Sequence, residues 1–152
     1  MDKPIIYLGA DHNGFELKNQ IGDFLKKKGY RIYDLGPFKY DKNDDYPDYA
    51  IKVCKKILKN KSKGILICGT GQGMSRAANK VKGIVAEVCW NQKSARHAKE
   101  HSNANVLSFG STMVSSILAK KMVMIWLSSE FNKEKRHIRR YKKIIKIENR
   151  NI

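Results

Sequence analysis

The chain has 152 residues, 41% of them apolar, and a formal charge of +17 from 31 Lys and Arg against 14 Asp and Glu. This length and composition fit a single globular domain over residues 1–152. They exclude a disordered chain, and no apolar run approaches the ~20 residues of a membrane span. The early apolar run PIIYLG is too short for a signal peptide, so a cytoplasmic protein is expected.

Residues 4–9 read as a strand. FELKNQIGDFLKKKG, from Phe15, reads as a helix with Leu17, Ile21, Phe24 and Leu25 on one face and Gly29 at its end. YRIYDLG is a second strand. PDYAIKVCKKILKN opens with Pro47 at a helix start and carries Ala50, Val53, Cys54, Ile57 and Leu58 along one stripe. GILIC is a third strand and SRAANKV a short helix. GIVAEVCW is a fourth strand, NQKSARHAKEH a helix and NVLSFG a fifth strand. TMVSSILAKKMVMIWLSSEF is a long apolar helix, and residues 131–152 form a basic helix or tail. Strands alternating with helices predict an α/β protein: a Rossmann-like three-layer α/β/α sandwich with a five-stranded parallel sheet. In such folds ligands sit at the carboxyl ends of the strands. The loops ADHNG, CGTGQG and EHSNAN are expected there.

The net charge suits a polyanion such as nucleic acid or a membrane surface. However, the basic residues are spread along the chain, and few aromatics are interleaved in the dense C-terminal stretch. A generally basic surface is the preferred reading, with neither nucleic acid nor membrane as partner. A phosphorylated small substrate would gain from the same field. Cys54, Cys68 and Cys89 form no C-x-x-C pair, which argues for reduced thiols and against a disulfide framework or a zinc site.

CGTGQGMS, residues 68–75, departs from the dinucleotide fingerprint and follows the third strand rather than the first. Its glycine amides could instead cradle an anion, and a helix N-terminus favours the thiolate of a nearby cysteine. Cys68 is then a reactive thiolate beside an oxyanion cradle, suited to proton abstraction next to a carbonyl. The alternative is a strand-end cysteine acting as a small hydrophobe. Asp11 and His12 end the first strand, where Asp11 or Asn13 could also cap the next helix. His97 and His101 are four apart, a metal-ligand spacing, but without a supporting carboxylate or cysteine pattern. His101 is expected to face the ligand side. In RHIRR, Arg136 and Arg140 lie one turn apart with His137 beside them, a pattern that clamps phosphate or forms a solvated basic tail.

These pieces, GADHNGFELK, DYPDYA, GILICGTGQGMSRAANK, HSNANVLSFG and RHIRR, in this order, resemble the ribose-5-phosphate isomerase B family, which includes the galactose-6-phosphate isomerase subunits. The resemblance runs from Gly9 to Arg140. It implies no nucleotide, no metal and no cofactor. It implies a homodimer with active sites at the subunit interface, with tetramers as a further assembly. The implied reaction interconverts ribose 5-phosphate and ribulose 5-phosphate in the non-oxidative branch of the pentose phosphate pathway.

By position, the resemblance makes Cys68 the base that moves a proton between C2 and C1, with Thr70 assisting. It gives the amides of Gly69, Gly71 and Gly73 to the enediolate and ring opening to His101 and Asp11. His12, Arg136, His137 and Arg140 take the phosphate, and Tyr46 and Ser102 line the sugar pocket. Some members lack this cysteine and use a Glu at the position of Met74, so Cys68 is the only base on offer here, and its presence argues against the galactose-6-phosphate subunits. Ser102 and Asn103 stand where Asn and Asp are common, and Arg76 replaces a usual apolar residue. Six-carbon sugar phosphates remain compatible with the pocket.

Overall fold

The computed structural model describes residues 3–150. Residues 1–2 and 151–152, the two ends of the expected domain, lie outside the described residues. Five strands, β1 (Ile6–Ala10), β2 (Ile32–Asp34), β3 (Lys63–Cys68), β4 (Ala86–Val88) and β5 (Val106–Gly110), form one parallel sheet in the order β2-β1-β3-β5-β4. β1 and β5 are buried along their whole length, as continuous apolar runs in a doubly covered sheet should be.

Six helices complete the chain: α1 (Phe15–Lys27), α2 (Tyr46–Asn60), α3 (Gln72–Ala78), α4 (Gln92–Glu100), α5 (Ser116–Ser128) and α6 (Lys135–Glu148). The period-2 alternation of β3 separates two cores. Ile65 and Ile67 join Ile21, Leu25, Met122 and Trp126 beneath α1, α4 and α5. Leu66 and Cys68 join Val53, Ile57, Met74 and Ala78 beneath α2 and α3. Each fully buried Ile or Leu contributes about 1.5–3 kcal/mol, so the two layers outweigh weak local propensities. The predicted α/β/α sandwich is therefore observed.

Element ends differ from expectation for local reasons. β4 keeps only three of the eight residues expected, because only Ala86–Val88 find register against β5. α3 begins at Gln72 rather than Ser75, directly after Gly71 at φ +81°. α5 begins at Ser116 because the Ser115 side chain accepts from the Leu118 amide and caps it.

Strand order turns at β1, which pairs with β2 on one side and β3 on the other. The loops leaving β1 and β3 therefore flank the crevice where the winding reverses. The segment 100–105 is not there. α4 runs back antiparallel to the strands, and Gly64, near the start of β3, donates its N–H to Asn105 O at 3.0 Å. The expectation that EHSNAN joins the other two loops, with His101 on their side, is corrected. In one chain it occupies the opposite edge of the sheet, about 17 Å away along β3.

Candidate active site

At the carboxyl edge, Ala10 and Ile67 are in register, so Asp11 and Cys68 leave neighbouring strands side by side. The Asp11 N–H donates to Ile67 O at 3.2 Å. Asp11 is buried, and its Oδ1 accepts from the Gly14 amide at 3.1 Å; Gly14 is itself the N-cap of α1, which has no side-chain cap. Burial raises its pKa above the ordinary aspartate value, although the Gly14 hydrogen bond and His12 pull the other way. Such a carboxyl holds its proton to higher pH than an exposed one.

The Cys68 loop is held from both sides. The Gly71 N–H donates to Cys68 Sγ at 3.2 Å. The Ser108 hydroxyl donates to Gly71 O at 2.8 Å, and the Thr112 hydroxyl donates to Gly69 O at 2.6 Å. The Ser111 N–H donates to Cys68 O at 2.9 Å. A Cβ on Gly71 would lie 2.8 Å from the backbone of Phe109, so the close approach and the positive φ together require glycine. In the free chain the N–H of Gly71, expected with those of Gly69 and Gly73 at the enediolate, is aimed at the sulfur. Among the described residues, no protein acceptor takes the N–H of Gly69 or Gly73. Thr70 is exposed at the mouth, and its Oγ1 accepts the Gln72 amide at 3.4 Å. The Tyr46 ring packs against Gly73.

The three cysteines are all free and all buried. Burial pushes the Cys54 thiol up to about 11 and the Cys89 thiol up to about 12. Both remain thiols near neutrality. Met74 is fully buried beneath the loop, and Arg76 is exposed on α3.

His12 stands at the same mouth. Its Nδ1 lies 2.7 Å from Asp44 Oδ1, which also accepts the His12 amide at 3.0 Å. The Asp44 hydrogen bond raises the imidazole pKa above its usual 6.5. Asp44 lay inside the polar loop KYDKNDDYPD with no sequence signal to separate it from its acidic neighbours. Ser108 and Thr112 were also missed, because their partners belong to the adjacent strand's loop.

A second group gathers at the opposite edge. His101 ends α4 and stacks on His97, with ring centroids 4.2 Å apart. On its other face it stacks on His137 at 4.5 Å, with planes 11° apart. His137 is the buried residue of α6, whereas Arg136 and Arg140 are exposed and Arg136 Nε pairs with Glu134 Oε2 at 2.9 Å. The Asn132 N–H donates to Glu100 O at 2.8 Å and fixes the start of α6 to the end of α4. Ser102 shares a groove of about 350 Å³ with His97 and His101. Asn103, at φ +51°, accepts from Lys99 Nζ at 2.6 Å.

The site residues expected from sequence thus fall into two sets. Asp11, His12, Tyr46, Cys68, Gly69, Thr70, Gly71 and Gly73 lie at the carboxyl edge. His101, Ser102, Arg136, His137 and Arg140 lie with the other edge. Among the described residues, no hydrogen bond, ion pair or ring contact joins them.

Residues 6–144 match the family model described as Ribose/Galactose Isomerase. A probable ribose-5-phosphate isomerase B of Mycoplasma genitalium is 46% identical over 145 residues, covering 94% of this chain and 95% of that protein. The ribose-5-phosphate isomerase B of Mycobacterium leprae is 38% identical over 136 residues, covering 89% and 84%. The crystal structure of the Mycoplasma genitalium ribose-5-phosphate isomerase B with bound ribulose-5-phosphate superposes with a TM-score of 0.93 at 44% identity, covering 97% of each chain. The Clostridium thermocellum ribose-5-phosphate isomerase B gives 0.91 at 46%, covering 95% and 97%.

Proposed function

The chain belongs to the ribose/galactose isomerase family, as an enzyme of the ribose-5-phosphate isomerase B type, and from that premise we propose how its two half-sites interconvert ribose 5-phosphate and ribulose 5-phosphate. The observation that carries the reading is the Gly71 N–H aimed at Cys68 Sγ at the strand switch point. The N–H fixes the sulfur within the loop, and a cysteine sulfur so placed is a competent base for a carbon acid.

Two copies of the chain form each site. One supplies Asp11, His12, Tyr46 and the Cys68 loop. The second supplies His101, Ser102, Arg136, His137 and Arg140. Exposed Trp90 and Met113, 58% and 61% accessible, support such an assembly. The basic face of α6 draws the phosphate, which Arg136, Arg140, His137 and protonated His12 hold far from the reacting carbons. Asp11 and His101 open the furanose ring: one takes the proton from the O1 hydroxyl while the other protonates the ring oxygen, and the C1–O bond breaks to give the aldehyde.

Cys68 Sγ then takes the C2 proton, and the electron pair of that C–H bond becomes the C1=C2 bond of an enediolate. The negative charge on oxygen meets the N–H groups of Gly69 and Gly73. Thr70 hydrogen bonds at O1 and O2 assist proton exchange between them. Return of the proton from Cys68 to C1 gives the ketose. The chemistry belongs to the non-oxidative branch of the pentose phosphate pathway, and three free thiols support a reducing, cytoplasmic setting. Ribose 5-phosphate incubated with the purified protein in EDTA should yield ribulose 5-phosphate, whereas Cys68→Ala should fold normally and lose about 10²–10⁴-fold in kcat. Wild-type activity in that variant would overturn the assignment of the base.

A further inference from the structure

The proposed reaction uses His101 but leaves two of its neighbours without a task. His97 lies one turn earlier on α4, and the Glu100 carboxylate has only a weak partner, Arg96 Nη1 at 4.0 Å. One ligand atom from each of His97, Glu100 and His101 falls within 4.8 Å of the others. The His137 ring, stacked on His101, adds a buried Nε2 with no hydrogen-bond partner. A buried polar nitrogen without a partner is costly and calls for an occupant or a rotation that satisfies it. The neighbouring groove of about 350 Å³, lined by Glu87, Asn91, His97, His101 and Ser102, leaves room for a water ligand.

We propose that His97, Glu100 and His101 form a binding site for a zinc-class transition-metal ion, and that its occupancy withholds His101 from catalysis. Two imidazoles and one carboxylate with an open position match the donor preference of zinc, cobalt and nickel, and not the all-oxygen shells of calcium or magnesium. Bonds of about 2.0–2.2 Å require the three ligand atoms to approach one another by roughly an ångström, a change available to half-exposed side chains. Glu100 exchanges its long contact with Arg96 for the ion. Lys93, which lines the same groove, opposes the added charge and keeps the ion exchangeable. His137 supplies a fourth nitrogen when its ring turns. The ion inhibits the enzyme by holding a ring nitrogen that ring opening needs. This regulatory half rests on the proposed role of His101, whereas the binding half does not.

The test uses the full-length protein after dialysis against chelator. Titration with Co²⁺ should give visible d–d absorption at one equivalent per chain, and Zn²⁺ titrated by calorimetry should displace it. His97→Ala and Glu100→Gln should each weaken binding at least about tenfold. In assays, Zn²⁺ should inhibit the wild type reversibly by chelator, whereas His97→Ala should keep its basal activity and lose the sensitivity. Absence of the cobalt spectrum, or zinc binding unchanged in both variants, overturns the site. Equal inhibition of the wild type and His97→Ala also overturns it and points to zinc on the Cys68 sulfur. Binding with the expected ligand dependence but without inhibition overturns the withholding of His101.

Discussion

Asp44 Oδ1 accepts both the backbone N–H and the ring nitrogen of His12, from 32 residues away, and ties the loop before α2 to the end of β1. The pair raises the imidazole pKa, so the folded state favours protonated His12. The stabilisation is therefore fully present below the ordinary value of 6.5 and is lost as pH rises through the higher folded value. Asp44→Asn should lower the melting temperature most on the acid side of that window, with the difference from wild type shrinking above it. The same variant should raise KM near neutrality with little change in kcat. A pH-independent difference in melting temperature would show that His12 protonation is not involved.

Arg136 is paired with Glu134 in the free chain. If Arg136 must reach a substrate phosphate, Glu134 competes with it. Glu134→Gln should lower KM by no more than about fivefold, as expected for an exposed pair. Arg136→Ala and Arg140→Ala should each raise KM by about tenfold or more, with kcat less affected. An unchanged KM in both arginine variants would leave α6 as a solvated basic surface.

Sites assembled from opposite edges of two copies predict complementation. Cys68→Ala and His101→Ala should each be nearly inactive alone. Random re-pairing of equal amounts makes about half of the dimers mixed, each with one intact site, so about a quarter of wild-type activity should return. Mixtures that stay inactive after exchange of subunits would place the whole site in one chain.

Thiol reactivity separates the cysteines. Iodoacetamide at neutral pH should modify Cys68 in the native protein and spare Cys54 and Cys89, whose burial keeps them protonated. Ribulose 5-phosphate should protect Cys68. Peptide mass spectrometry reads both results, and modification of Cys89 at the same rate would contradict the packing described.

The alternation of apolar strands and amphipathic helices was legible because β1, β3 and β5 are buried on both faces and leave continuous apolar runs. The Cys68 loop was legible because it demands glycine. Other features depend on pairings distant in sequence. Nothing local marks Asp44 as the partner of His12, or Ser108 and Thr112 as clamps on Gly71 O and Gly69 O. The position of His101 was readable in principle, since a helix that follows a parallel strand must end at the opposite edge. The rule that ligands sit at strand carboxyl ends instead suggested a common edge, because it was applied to a segment that precedes β5 rather than follows it. The role of the Gly71 amide needed coordinates, since sequence cannot aim an N–H.

The separation of Cys68 from His101 along β3 has a consequence for how output scales with protein amount. If neither edge can turn over substrate unaided, the working unit appears only by association. Specific activity then follows mass action: it is constant in concentrated solution and falls on dilution towards the dissociation constant of the pair. A cell making little of this chain would have disproportionately less flux through it, so abundance itself becomes a threshold on the reaction.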